Sequence, residues 1–232
     1  MKPKISPALI ARAYADPLSW LNLAVDFLPI FAIFLLGWGA TPLVALYWLE
    51  NLVIGVFAAA RIAGSGLAMM KQGKSEGALG VFFLAPFFCL HYGFFCWGHG
   101  IFIATFADPE WSLTGPAGLI GWALGSGPGI AVFLAAIFAA NLAVFVVDFI
   151  GRGEIDRTGP GEEMGAPYGR IFTLHIAIIL GAAFAFGSDD PLMGVLLLIL
   201  IRVAFGVLGE IRRRIKRDAQ LAEGVAPEAA TL

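Results

Sequence analysis

The sequence predicts an all-α protein, a polytopic transmembrane bundle of six helices with both termini cytoplasmic. Three observations predict it. Six apolar runs are each long enough to cross a hydrocarbon core of about 30 Å, which a helix does in about 20 residues. Of the fifteen Lys and Arg residues, fourteen fall in segments that alternate to one side of such a bundle, and one, Arg202, lies inside an apolar run. That is the positive-inside bias, which places the basic side in the cytoplasm. Composition agrees: 59% of the 232 residues are hydrophobic, only 14% are charged and 20 are Phe, beyond what a soluble domain of this length carries.

The spans are expected near 17–39, 42–64, 78–107, 129–151, 168–187 and 191–210. Residues 1–16, with Lys2, Lys4 and Arg12, form a cytoplasmic or interfacial N-terminus, and 17–210 form the membrane domain. Asp16-Pro17, Thr41-Pro42 and Asp190-Pro191 each put a capping side chain before a proline at the first helical position. The first run is too long for a signal-peptide core and has no convincing small-residue cleavage site, so it reads as a retained helix. Pro29 within it frees the carbonyl of Val25, and Pro86 in the third span frees that of Phe82. Arg61, where the second run fades, reads as a snorkelling terminal residue. The outer loop at 108–128 carries Trp111 and Trp122 and an apolar stretch, Ala117 to Leu124, too short to span, so it is expected in the interface. The loop at 151–167, rich in Gly and acid, reads as flexible. The tail at 211–232 opens with Arg212, Arg213, Arg214, Lys216 and Arg217, then reads as disordered.

Several functions are excluded. The loops leave no room for a soluble catalytic domain, and the glycines of 151–167 follow no strand and lack the spacing and Lys of a phosphate-binding loop. The GxSG motif of a rhomboid-type protease, the CxxC pairs of a zinc site and HExxH are all missing. Cys89 and Cys96 lie about 10 Å apart along one helix, too far for a disulfide. Three histidines cannot supply two bis-His haems. Nucleic acid is not an expected partner.

What remains is the polar inventory inside the membrane. Ionisable groups there cost about 2.5–3.5 kcal/mol on insertion scales, so Asp26, Glu50, His91, His99, His175 and Arg202 are all expected to point into the bundle. Asp26, His175 and Arg202 share a layer about 10–15 Å above the cytoplasmic edge, with Asp26 the counter-charge for Arg202. Glu50 and His99 share a second layer nearer the outside, with His91 between the two. Cys89, Tyr92, Cys96 and His99 recur on one face of the third span. His91 is turned about 80° from His99 and lies about 12 Å below it, so the two cannot ligate one metal. The candidate metal ligands are therefore drawn from different helices: Glu50 with His99, or His91 with His175. Such a set suits zinc, iron or copper. No catalytic or cofactor-binding residue is assigned. Against this stands a bland reading, in which intramembrane polar groups are interhelical glue worth about 0.6 kcal/mol each. Gly93, Gly98 and Gly100 read as places of close helix approach.

The strings LYWLENLVIGVF at 46–57, FFCLHYGFFCWGHGIF at 87–102 and APYGRIFTLHIAIILG at 166–181 resemble an uncharacterised bacterial family of multi-pass membrane proteins, a domain of unknown function. The resemblance covers about 17–209. It implies a prokaryotic inner-membrane protein whose motif positions are Glu50, Asn51, His91, Tyr92, His99, Tyr168, Arg170 and His175. It implies no activity.

Three function classes stay open: a metal-binding or redox membrane protein using Glu50 and the histidines, a small-solute or proton transporter, and a non-catalytic accessory subunit. The expected partners are the lipid bilayer and either a second copy or another subunit of a membrane complex.

Overall fold

Among the described residues one long helix, Ala40–Lys71, is the hub: the helices that follow it lie against it, whereas the first, Pro17–Leu36, packs on Ile130–Val144. The structure, a computed structural model, describes Ala11, residues 14–108, 110–112 and 115–168, and also Ile176, Leu200, Val203, Ala204, residues 206–209, Ile211 and Ile215. The predicted fifth and sixth spans, with His175, Arg170 and Arg202, lie outside the described residues apart from those single positions.

Helix α1 covers Pro17–Leu36. The carboxylate of Asp16 accepts from the Leu18 N–H at 3.1 Å, and Pro17 supplies a first residue that needs no partner for its nitrogen. Pro29 is buried inside the helix, which runs on past it. Gly37, at φ 66°, ends α1 in the left-handed region that a side chain would resist.

Helix α2, Ala40–Lys71, begins one residue before Thr41. Its N-cap is Gly39 and no side chain caps it, so Thr41 does not play the capping role expected of it. The helix also outruns its apolar run, which fades near residue 64, by about two turns. The extension is held by the hairpin that follows: a Cβ on Gly66 would lie 2.9 Å from the Gly77 carbonyl oxygen, so only glycine allows this approach.

Helix α3, Glu76–Ala107, contains a wider π-helical turn at Gly80–Leu84. That turn directly precedes Pro86, and it absorbs the missing N–H and the ring clash that a regular helix would suffer there. A short helix α4, Gly115–Gly125, packs on α2 and α3 through Leu119 and Ala123, both fully buried. Helix α5, Ile130–Gly151, ends in a second π-helical stretch closed by Arg152 N–H to Val147 O at 2.9 Å.

Four of these helices, α1, α2, α3 and α5, are long and apolar enough to cross a membrane, and every described element is helical. They coincide with the first four predicted spans. Large apolar side chains cover the outside, among them Phe34, Phe82, Leu90, Phe94 and Val132, while the core gathers around α2. A surface of that kind fits lipid, not water.

The loop at 151–167, expected to be flexible, carries secondary structure. It forms a 3-10 turn, Glu154–Asp156, and helix α6, Pro160–Gly165. Pro160 lies so close to Gly80 that a Cβ there would meet its ring at 2.6 Å. The small residue that permits this packing is Gly80 of α3; a Cβ on Gly159, Gly161 or Gly165 of the loop would have nothing within 4 Å.

Candidate functional site

The paired contacts of α2 and α3 fix their register. Trp48 Nε1 donates to the Cys96 carbonyl at 2.7 Å, and Tyr92 OH donates to the Asn51 carbonyl at 3.1 Å. Gly55 faces the Tyr92 ring, and Gly100 sits between Trp48 and Leu119. The two helices are therefore antiparallel, with Glu50 within a turn of the level of His99, as their depths in the sequence implied.

Depth is only half of the geometry. Trp48, Asn51 and Gly55 mark the face of α2 that meets α3, and at about 100° per residue Glu50 is turned about 100–160° from all three. It lies instead within about 20° of Phe57, whose ring packs on Phe138 and Phe145 of α5 at 5.3 and 5.7 Å. The neighbours of Glu50 on this face are Leu43, Leu46 and Phe57, all buried. The Glu50 residue is 4% exposed in this apolar seam. Helix α2 thus separates Glu50 from the face on which His99 was expected to approach it.

Asp26 is also buried. It packs directly against Gly206, where any Cβ would strike its Oδ2. Its expected counter-charge, Arg202, lies outside the described residues, as does His175. His91 and His99, both expected to point inward, are half-buried on α3. The rings of Phe87, Phe95 and Tyr168 surround His91, and Phe95 lies 6.1 Å from His99. Tyr92 and Cys96 are buried toward α2, whereas Cys89, expected on the same face, is exposed. Both cysteines are free thiols. Among the described residues no three of His, Cys, Asp and Glu gather in a metal-ligand group.

Two polar atoms stand out in the core. Asn51 turns its amide nitrogen to the Tyr47 carbonyl at 2.8 Å, which leaves its Oδ1 buried and without a hydrogen bond among the described residues. The indole nitrogen of Trp97 is in the same position. Buried acceptors and donors without partners are rare and mark places where something else supplies the bond.

At the end of α2 that carries Lys71, two arginines hold the loop that follows α5. Arg61 donates from Nε to Glu163 Oε2 at 2.6 Å and from an Nη to Glu154 Oε2 at 2.9 Å, and its guanidinium lies 4.4 Å over the Phe149 ring. It is not a snorkelling terminal residue. Arg152 pairs with Asp16, at the start of α1, and with Asp148 one turn back on α5. The hydrogen bond with Asp16 holds the Arg152 guanidinium above its ordinary pKa. Sequence reasoning missed Glu154 and Glu163; the available signal was a carboxylate-rich loop beside an apolar run that ends in a lone arginine.

No curated protein and no solved structure matches the chain. Residues 8–223 match one family model, described as Family of unknown function (DUF6498), and the chain belongs to that family.

Proposed function

We propose that the protein is an integral membrane protein of the bacterial inner membrane whose working group is the buried carboxyl of Glu50, a cation site in the transmembrane core. Six spans with both termini in the cytoplasm fit the one-sided distribution of basic residues. The observation that carries the functional reading is the burial of Glu50, at 4% exposure, on the face of α2 that also carries Leu43, Leu46 and Phe57. A carboxylate at such depth is retained only where a hydrogen bond, a cation or a proton compensates it, and Glu50 is not without such a partner.

The cation is a transition metal ion, zinc, iron or copper, for which carboxylate and imidazole are suitable ligands. The imidazoles to test are His99, which shares the depth of Glu50, and His175 of the predicted fifth span. The second reading is a relay in a proton or small-solute transporter, in which the same carboxyl carries the proton.

Elemental analysis of detergent-purified protein, combined with pH-dependent flux in proteoliposomes, tests both. Metal bound by the wild type and lost from Glu50→Gln and from His99→Ala or His175→Ala supports the metal site. Absence of metal with flux that Glu50→Gln abolishes supports the relay. If Glu50→Gln changes neither and only lowers the unfolding temperature, Glu50 is packing glue, and an accessory subunit becomes the better reading.

A further inference from the structure

We propose that His91 and Tyr168 form a binding site for a membrane-soluble quinone, a flat ring bearing carbonyl acceptors on an apolar tail. The His91 imidazole lies parallel to Phe87 at 5.3 Å and 13°, with Phe95 at 5.0 Å and Tyr168 at 6.1 Å. Tyr168 in turn packs edge-on against Phe88 and Tyr92. Among the described residues, the contacts of both His91 and Tyr168 are ring contacts, with no hydrogen bond or ion pair. Among the described residues neither the imidazole nor the phenol has a hydrogen-bond partner, and their ring centroids lie 6.1 Å apart beside apolar rings.

The site opens toward lipid. Leu90 and Phe94, next to it on α3, are about two thirds exposed, and Phe87 and Phe95 are 42% and 40% exposed. His91 itself is half-buried, midway along the 32-residue α3. An unbonded polar group among apolar rings costs several kcal/mol. A partner that reaches it past the exposed Leu90 and Phe94 comes from the hydrocarbon.

That restricts the ligand's chemistry. It must be soluble in the bilayer, it must accept hydrogen bonds from an imidazole N–H and a phenol O–H, and it must be flat to lie among aromatic rings. A quinone meets all three conditions. The proposal is independent of Glu50, which lies on another helix and faces away from α3.

The test is a fluorescence titration of the purified protein in nanodiscs with a benzoquinone carrying a ten-carbon tail, which quenches tryptophan on binding. Wild type should give a saturable curve, and His91→Phe and Tyr168→Phe should each raise Kd about tenfold, the worth of one hydrogen bond. His91→Gln, which restores an N–H donor, should return Kd to within about threefold of wild type. Glu50→Gln should leave it unchanged. Linear, unsaturable quenching in the wild type overturns the proposal, as does an unchanged Kd in Tyr168→Phe or equal displacement by a straight-chain fatty alcohol. Tyr168→Phe, which removes a single oxygen atom, decides the matter where His91→Phe does not fold.

Discussion

Arg61 and Glu163, 102 positions apart in the chain, meet through an Nε–Oε2 hydrogen bond of 2.6 Å that fastens the 151–167 loop to α2. Glu163 is buried, so removing Arg61 leaves a carboxylate with no compensation close to apolar rings. Arg61→Ala should destabilise the protein by about 1–3 kcal/mol, discounted because the arginine side chain is 22% exposed and partly screened. The loop itself should open. Trypsin should cut after Arg152 and Arg157 at least about tenfold faster in Arg61→Ala, the change expected when roughly 1.4 kcal/mol of local stability is lost. Equal cleavage of wild type and variant would show that the loop is held by something else.

The glycines of α3 divide into two kinds. A Cβ on Gly100 would lie 2.5 Å from Leu119 and 2.6 Å from the Trp48 ring, so Gly100→Ala should cost about 1–3 kcal/mol through overpacking. Gly93 and Gly98 have nothing within 4 Å, and alanine there should be neutral or gain up to about 1 kcal/mol from helix propensity. Thermal unfolding of the three variants in one detergent checks the contrast. A loss at Gly93 or Gly98 as large as at Gly100 would mean that another chain packs on that face.

The two thiols should react differently for a reason of position alone. Cys89 is exposed and Cys96 is buried beneath Trp48, whose indole closes on the Cys96 carbonyl. Maleimide in mild detergent should therefore label Cys89 at least about tenfold faster than Cys96, whose access requires local opening. Trp48→Phe removes the indole donor and should narrow that ratio while costing about 0.5–1.5 kcal/mol. Peptide mass analysis after timed labelling reads both.

Four spans were legible because length and apolarity alone mark a helix in lipid, and Asp16-Pro17 located a start to the residue. What was not legible was direction around each helix. In water the polar face of a helix identifies its outside, but in lipid both faces are apolar, so Glu50 and His99 could be given a common depth and not a common side. The same limit hid which glycine of Gly93, Gly98 and Gly100 touches a neighbour. Arg61 failed for a different reason: its partners, Glu154 and Glu163, lie 93 and 102 residues away, and no local pattern encodes a pairing at that range.

The contact of Asp26 with Gly206 gives the sharpest test of how the end of the chain meets the bundle. Gly206 presents bare backbone to the Asp26 carboxylate, and a Cβ there would strike Oδ2. Asp26 is buried and inside a helix that continues through Pro29, so neither its backbone nor its side chain has much room to retreat. Gly206→Val should therefore destabilise strongly, by about 2–4 kcal/mol, because it displaces a buried polar group as well as overpacking the contact. Asp26→Ala alone should also destabilise, since it leaves a cavity beside Gly206 and removes the carboxylate's own interactions. The double variant Gly206→Val/Asp26→Ala is the decisive one. The alanine vacates the volume that the valine needs, so the two losses should fall short of additivity by at least about 1 kcal/mol in a double-mutant cycle. Strict additivity of the two unfolding free energies would refute a direct contact between Asp26 and Gly206.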